Sequence, residues 1–246
     1  MVRFLDVNCM LGSNLWPKLP VEGAGDLVSL MDDYGIERAV VYHSAARFYH
    51  PKEGNEALLR EIEPHRDRLL PCLVLLPTTT GETGSLDEIA RALDRSGAVA
   101  VRLFPAEHNF PLEGWCVGDL LSLLEERRLP LILEHGQQGL GEIRAVCRAY
   151  PNLPVILSVT GYRATRALYA LFRDCPNFHI EISTFLVFRG VEEVVRRFGP
   201  ERLLFGTRTP HQPPGAAMAR VLYAEIDEKA KEAIAFENAE RLLCGR

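Results

Sequence analysis

Two polar residues, Asp6 and Asn8, lie within and after the first apolar run of the chain. A buried strand becomes polar in this way where it emerges at a pocket, and in an α/β barrel the carboxyl ends of the strands form the active-site face. Asp6 could act there as a catalytic acid, or it could be a buried carboxylate bonded to backbone amides. We expect it to pair with a cation, because a buried charge seldom stands alone.

Other residues with chemically useful side chains follow the later apolar runs: Arg102, Glu134, His135, Ser158, Thr160, Glu181, Arg208 and His211. His135 could act as a general acid or base, or it could be a structural histidine held by hydrogen bonds. Arg102 could clamp a carboxylate or a phosphate, or form a salt bridge with Glu134 or Glu181. Adjacent strand residues point in opposite directions, so either Glu134 or His135 faces the pocket, and the sequence leaves that choice open.

The hydroxyl and thiol groups near the strand ends do not form a recognisable nucleophile. No Gly-x-Ser-x-Gly segment surrounds Ser158, which argues against a serine nucleophile. Cys9 would need a partner that stabilises its thiolate. Ser158 and Thr160 could donate to a substrate oxygen, although such residues more often satisfy the backbone of turns. We predict that the catalytic residues are Asp6, His135 and Arg208. The predicted substrate-binding residues are Asn8, Arg102, Glu134, Ser158, Thr160, Glu181 and His211.

Strand-like and helical segments alternate along the chain in about eight units, which predicts a parallel sheet closed into a (β/α)8 TIM barrel. We expect one domain over residues 1–246. The pattern predicts a loop from Leu15 to Gly25 and a helix capped by Asp26. It also predicts a helix with a capping box formed by Ser85 and Glu88.

Composition excludes several classes of partner. The net charge of −5 gives no basic surface for nucleic acid. No apolar run approaches the roughly 20 residues that span a bilayer. The six cysteines are widely spaced and include no Cys-x-x-Cys pair, so we expect reduced thiols in a cytoplasmic protein.

Three motifs resemble the amidohydrolase superfamily, in particular its amidohydrolase-related group of hydrolases and decarboxylases. Asp6 and Gly12 match the opening Asp-x-His-x-His-x-Gly of that group, while the two histidine positions hold Asn8 and Met10. The segment from Arg202 to Pro210 is similar to its Leu-Phe-Gly-Ser/Thr-Asp-x-Pro run. The end of the chain, from Ile234 to Leu243, is similar to a closing helix with an Asn-Ala-x-x-Leu motif.

The resemblance implies a divalent metal held by the two opening histidines, a histidine after the fifth strand and an aspartate after the eighth. In this chain those positions hold Asn8, Met10, His135 and Arg208. An arginine cannot ligate a cation, and a thioether is a poor ligand for the metals of hydrolases. From this loss we expect no cofactor. The alternative is a divalent metal such as zinc at a relocated site, with ligands drawn from Asp6, His43, His135, Glu181 and His211.

Three functions remain open. The first is a metal-independent hydrolase or lyase acting on a small anionic, carboxylate-type substrate, with His135 as acid or base and Arg208 as an electrostatic clamp. The second is an inactive pseudoenzyme that binds a metabolite or a protein partner, and the third is a metal-dependent hydrolase with relocated ligands. We expect Arg208 to enter the barrel mouth and pair with Asp6, Glu134 or Glu181. A homodimer is compatible with this kind of barrel.

Overall fold

The computed structural model describes residues 2–12 and 21–245. Eight parallel strands follow one another around a single sheet in sequence order, with a helix after each strand. The strands are β1 Phe4–Leu11, β2 Ile36–His43, β3 Leu69–Val74, β4 Ala100–Arg102, β5 Leu131–Glu134, β6 Val155–Ser158, β7 Phe178–Glu181 and β8 Leu203–Leu204. The predicted (β/α)8 barrel is confirmed.

The helices form the outer layer. They are α1 Ala24–Tyr34, α2 Ser44–Phe48, α3 Pro51–Ile62, α4 Leu86–Ser96, α5 Gly114–Glu126, α6 Leu140–Ala149, α7 Thr165–Asp174, α8 Gly190–Phe198, α9 Pro214–Leu222 and α10 Glu228–Glu232. After α10 the chain continues through π-helical turns over Ala233–Glu237 and Glu240–Cys244. No helix in the described part of the chain is long and apolar enough to cross a membrane.

The sheet closes between β1 and the segment that follows β8. The amide of Val7 donates to the carbonyl of Phe205 at 3.0 Å, and the amide of Met10 donates to the carbonyl of Thr209 at 2.9 Å. Between Asp6 and Cys9, β1 gains one residue relative to β2. Such a bulge re-aims the side chains that follow it, and Asn8 lies within it.

Apolar side chains fill both faces of the sheet, as expected when a parallel sheet is covered on both sides. One buried cluster lies between sheet and helices, and a second, smaller cluster includes Val7, Val40, Val74 and Ile132. The closing helix completes the second cluster with Phe236. Asn238 of the closing motif donates to the carbonyls of Pro200 and Leu203, each at 2.9 Å, and so ties this helix to β8.

Two predicted helix starts have different outcomes. The Ser85–Glu88 capping box is present: the Ser85 side chain accepts from the amide of Glu88, whose carboxylate accepts from the amide of Ser85. The Asp26 cap is wrong, because Gly23 is the N-cap and Asp26 lies three residues inside the helix start, where its carboxylate accepts from the amide of Gly23. The predicted loop from Leu15 lies partly outside the described residues.

Candidate functional site

Polar and charged side chains gather at the carboxyl ends of the strands. Asn8, Arg102, Glu134, Ser158 and Glu181 come from five different strands, and each is at most 9% exposed. Buried polar groups require partners. Their hydrogen bonds therefore define what this mouth can bind.

Arg102 and Glu181 are linked through the side chain of Asn8. The Nη2 atom of Arg102 donates to Oδ1 of Asn8 at 3.1 Å, and Nδ2 of Asn8 donates to Oε1 of Glu181 at 3.2 Å. The Arg102 guanidinium also lies 4.5 Å from the centre of the Tyr42 ring. Its Nε and Nη1 atoms are buried and have no hydrogen-bond partner among the residues that the structure describes.

Glu181 is held by the backbone around it. Its Oε1 accepts from the amide of Val159 at 2.9 Å and the hydroxyl of Ser183 at 2.8 Å, while Oε2 accepts from the amide of Ser183 at 2.6 Å. Burial raises the pKa of the carboxyl despite these bonds, and the charge of Asp6 raises it further. A Cβ atom at Gly206 would lie 2.6 Å from Oε2 of Glu181, so glycine leaves the room that this carboxylate occupies.

Asp6 joins β1 to the segment after β8. Its carboxylate accepts from the hydroxyl and the amide of Thr207, the latter at 3.0 Å. It also accepts from the amide of Asn8 at 2.9 Å and the thiol of Cys9 at 3.0 Å. Burial raises the pKa of Asp6, and these four donors oppose the rise.

The expected pairing of Arg208 with a buried acid is wrong. Arg208 is half-buried. Its side chain forms no hydrogen bond or ion pair with any other residue of the described ranges, 2–12 and 21–245. Its backbone has φ +62°, in the left-handed region. The two Asp6 oxygens are occupied by Thr207, Asn8 and Cys9, and the partner of Glu134 is a different arginine.

That arginine is Arg47, in the short helix α2. Its guanidinium forms two hydrogen bonds with Glu134, at 2.9 and 3.2 Å, and two with Glu107, both at 2.7 Å. A fifth bond reaches the hydroxyl of Tyr42 at 3.5 Å, so all five N–H groups of the side chain are used. Burial alone would lower the pKa of Arg47, but hydrogen bonds to Glu107 and the charges of Tyr42 and Glu134 raise it.

The two histidines predicted for the site lie at its rim. Glu134 is buried at the end of β5, whereas His135 is half-buried and its amide donates to the carbonyl of Ser158 at 2.9 Å. His211 is exposed, and its amide donates to the carbonyl of Arg208 at 2.9 Å. Partial burial of the His211 ring lowers its pKa, and the positive charges of Arg208 and Arg47 lower it further, while the Glu134 charge opposes them.

The two hydroxyls differ in their partners. The Ser158 hydroxyl donates to the backbone carbonyl of Leu133 at 3.0 Å. It therefore satisfies the backbone, which was one of the two roles expected from the sequence. Thr160 is buried, and its Oγ1 has no hydrogen-bond partner within the described residues. A buried hydroxyl without a partner is free to bond a ligand. Thr160 therefore remains a predicted substrate-binding residue.

Sequence reasoning missed three residues of the mouth: Arg47, Tyr42 and Phe104. The Phe104 ring lies 4.5 Å from the Arg47 guanidinium and 5.9 Å from that of Arg102. The available signal was position, because Tyr42 is in β2 and Arg47 follows it by five residues, on the active-site face of a barrel.

A family model described as amidohydrolase matches residues 13–244. The chain belongs to the amidohydrolase family. No curated protein sequence matches it. The match begins directly after β1, so the segment that contains Asn8 and Met10 lies outside it.

Solved structures show the same barrel. An uncharacterized TIM-barrel protein from Bordetella bronchiseptica superposes with a TM-score of 0.79 at 18% identity, covering 100% of both chains. The 2,6-dihydroxybenzoate decarboxylase from Rhizobium has a TM-score of 0.78 at 17% identity, covering 99% of both chains. A dihydroxybenzoic acid decarboxylase from Polaromonas sp. JS666 has a TM-score of 0.77 at 16% identity, covering 99% of this chain and 97% of its own.

These comparisons correct the cofactor prediction. The expectation from the sequence was no cofactor, but the Polaromonas decarboxylase was crystallised with bound manganese and the inhibitor 2-nitroresorcinol. Manganese is therefore found in proteins with this barrel, and we withdraw the expectation of no cofactor.

The residues of this chain do not form the ligand set that the amidohydrolase family implies. The Asn8 amide is bonded to Arg102 and Glu181, Met10 is buried in the apolar cluster that includes Val7, and Arg208 is a cation. The relocated zinc set is not assembled either. Within residues 2–12 and 21–245, no three His, Cys, Asp or Glu side chains are grouped to hold a metal. His43, for example, pairs with Glu61 at 3.4 Å. We derive no catalytic step through a metal.

Proposed function

We propose that this amidohydrolase-family barrel is a lyase or hydrolase of a small carboxylic acid, whose carboxylate binds to Arg102. The observation that carries the proposal is the guanidinium of Arg102, which is 1% exposed and has two buried nitrogen atoms without partners among the described residues. Buried donors in folded proteins are nearly always satisfied. A bound ligand with acceptor oxygens would satisfy these.

A carboxylate suits this position better than a neutral ligand. A guanidinium binds carboxylates through parallel N–H···O bonds, and the side chain of Asn8 lies between Arg102 and the buried acid Glu181. The positive charge of Arg102 is therefore not cancelled by direct contact with an acid. The rings of Tyr42 and Phe104 lie beside the guanidinium, with their centres 4.5 and 5.9 Å from it.

Decarboxylation is the first reaction to test. Among the similar structures are decarboxylases of dihydroxybenzoic acids, and removal of CO₂ from a carboxylic acid leaves a carbanion that must be protonated. We assign this proton transfer to His135, at the rim beside Glu134, as a general acid. We assign Arg208 as a second cation for the substrate, as the sequence suggested.

The alternative is a binding protein without catalytic activity. It is favoured by Met10 and Arg208, which occupy two positions where the family resemblance implies metal ligands. Both an enzyme and a binding protein would bind the carboxylate, but only the enzyme would convert its ligand to a product.

The test measures binding of benzoate and 2,6-dihydroxybenzoate by calorimetry, and release of CO₂ from the latter, with and without added Mn²⁺. Arg102→Met should lower the affinity for both acids by about 10- to 100-fold, because a hydrogen bond to a charged group contributes about 1.5–3 kcal/mol. Arg202→Met is a matched control, since Arg202 is half-buried and, within the described residues, donates only to backbone carbonyls, including those of Cys175 and Phe178.

Wild-type protein that binds neither acid under any of these conditions would refute the proposal. An Arg102→Met variant that binds as tightly as the Arg202→Met control would also refute it. Binding that Arg102→Met abolishes, without CO₂ release by the wild type, would select the binding-protein alternative.

A further inference from the structure

Asn8 lies between two opposite charges at the centre of the mouth. Its side-chain oxygen accepts from the guanidinium of Arg102 at 3.1 Å, and its side-chain nitrogen donates to the carboxylate of Glu181 at 3.2 Å. All three residues are at most 3% exposed. Among the ion pairs of the described residues, there is no direct pair between Arg102 and Glu181. The amide of Asn8 is thus the link between them.

An amide is suited to this position because it carries a donor and an acceptor at opposite ends. The carboxylate of Glu181 accepts only, and the guanidinium of Arg102 donates only. The Asn8 amide therefore has one orientation that satisfies both. An aspartate here would repel Glu181, and a leucine of similar shape would leave both charges without this partner. The amide of Asn8 itself donates to Asp6 at 2.9 Å, which holds the residue from the backbone side.

Glu181 is the fixed end of this series of hydrogen bonds from Arg102 through Asn8. Two backbone amides and the Ser183 hydroxyl hold its carboxylate in addition to Asn8. The backbone of Gly206 lies so close to the Glu181 carboxylate that a Cβ atom there would be 2.6 Å from Oε2. Glu181 is fully buried, and both of its carboxylate oxygens already accept hydrogen bonds from these protein groups.

We propose that Asn8 and Glu181 are positioning residues that hold the guanidinium of Arg102 by one nitrogen, Nη2, and aim its other N–H groups at the substrate carboxylate. The inference rests on the proposed function, since it assigns Arg102 as the carboxylate-binding residue. It replaces the earlier expectation that Asn8 and Glu181 contact the substrate themselves. A donor that is already oriented loses less conformational entropy on binding.

The test compares the benzoate affinity of Asn8→Leu, Asn8→Asp and Glu181→Gln with that of the wild type by calorimetry. Asn8→Leu should weaken binding about tenfold, because the guanidinium loses its orienting partner. Asn8→Asp should weaken it at least as much, because the new carboxylate binds Arg102 and competes with the ligand. In an Arg102→Lys background, Asn8→Leu should cause no further loss of affinity, and this is a result that a merely structural role would not produce.

Asn55→Leu is the matched control for loss of a buried asparagine. In the part of the chain that the structure describes, the Asn55 side chain bonds only the backbone of Val74, through Nδ2 at 2.7 Å and Oδ1 at 2.9 Å. It should lose stability and keep its benzoate affinity. If Arg102→Met loses benzoate while Asn8→Leu and Glu181→Gln bind it like the wild type, the positioning role is refuted and the proposed function stands. If the wild type binds no carboxylate, both are refuted.

Discussion

The guanidinium of Arg47 forms two hydrogen bonds with the carboxylate of Glu134, at 2.9 and 3.2 Å, and so connects α2 to the end of β5. The same group bonds Glu107, in the segment between β4 and α5. Three connections on the active-site face are therefore joined by one side chain. Arg47 is therefore the charged partner of Glu134 in place of Arg102 or Arg208, which the sequence had suggested.

Loss of the Arg47 guanidinium should loosen this face of the barrel. We expect Arg47→Met to lower the free energy of unfolding by about 1–3 kcal/mol, because Glu134, whose side chain is 11% exposed, loses its charged partner. Urea unfolding measures the loss, and hydrogen exchange should become faster in residues 44–50 and 105–112. Arg189→Met is the control: its ion pair with Glu225 is exposed and should contribute at most about 1 kcal/mol. Equal losses in the two variants would contradict this prediction.

A methyl group at position 206 should disturb the buried carboxylate next to it. In Gly206→Ala the new Cβ would meet Oε2 of Glu181 at 2.6 Å and its Cβ at 3.2 Å, so the carboxylate or β8 must shift. We expect a loss of about 1–3 kcal/mol in unfolding free energy. Gly25→Ala, where a Cβ meets no atom within 4 Å, should be neutral or stabilising by up to about 1 kcal/mol. Thermal unfolding of both variants decides the point.

Arg208 should contribute little to the free energy of unfolding, because it forms no ion pair within the described residues. If Arg208 paired with a buried acid, as expected from the sequence, Arg208→Ala would leave that acid unpaired. In the structure, however, Asp6 is bonded to Thr207 and Glu134 to Arg47. We now expect Arg208→Ala to change the unfolding free energy by less than about 0.5 kcal/mol. Arg208→Gly should raise it by about 0.5–1 kcal/mol, because φ is +62° and glycine adopts that conformation without strain. A large loss of stability in Arg208→Ala would restore the original prediction.

His179 should make the barrel sensitive to acid. Burial lowers its pKa from 6.5 to about 4, and the hydrogen bond from Nδ1 to the carbonyl of Glu201, at 2.9 Å, opposes that change. The unfolded chain binds a proton at higher pH than the folded protein does, so stability falls as the pH drops from about 6.5 to about 4. The difference corresponds to roughly 3 kcal/mol for this single group.

The His179→Gln variant separates this contribution from that of the carboxyl groups. Glutamine can keep a hydrogen bond to Glu201 but does not titrate, so its unfolding free energy should fall less between pH 7 and pH 4 than that of the wild type. Asp6 and Glu181 act in the opposite direction: their raised pKa values reduce stability as the pH rises above the unfolded values. Parallel pH profiles of variant and wild type would show that His179 is not responsible.

Local patterns in the sequence were sufficient to predict the barrel and to predict which charged residues lie at the ends of its strands. Alternation of strand-like and helical segments depends on the period of apolar residues, which each segment carries by itself. The Ser85–Glu88 capping box involves residues three positions apart and was predicted correctly. The placement of Arg102 and Glu181 at strand ends followed from the same local pattern.

Only the tertiary structure decided which charged groups are partners. Arg102 and Asn8 are 94 residues apart, and Arg47 and Glu134 are 87 apart. Their contacts depend on strand register, on the bulge in β1 and on the course of α2 over the mouth, and none of these is encoded within a local window. The sequence did not determine which of several acids each arginine would pair with. Closure of the barrel placed the side-chain oxygen of Asn8 3.1 Å from Nη2 of Arg102.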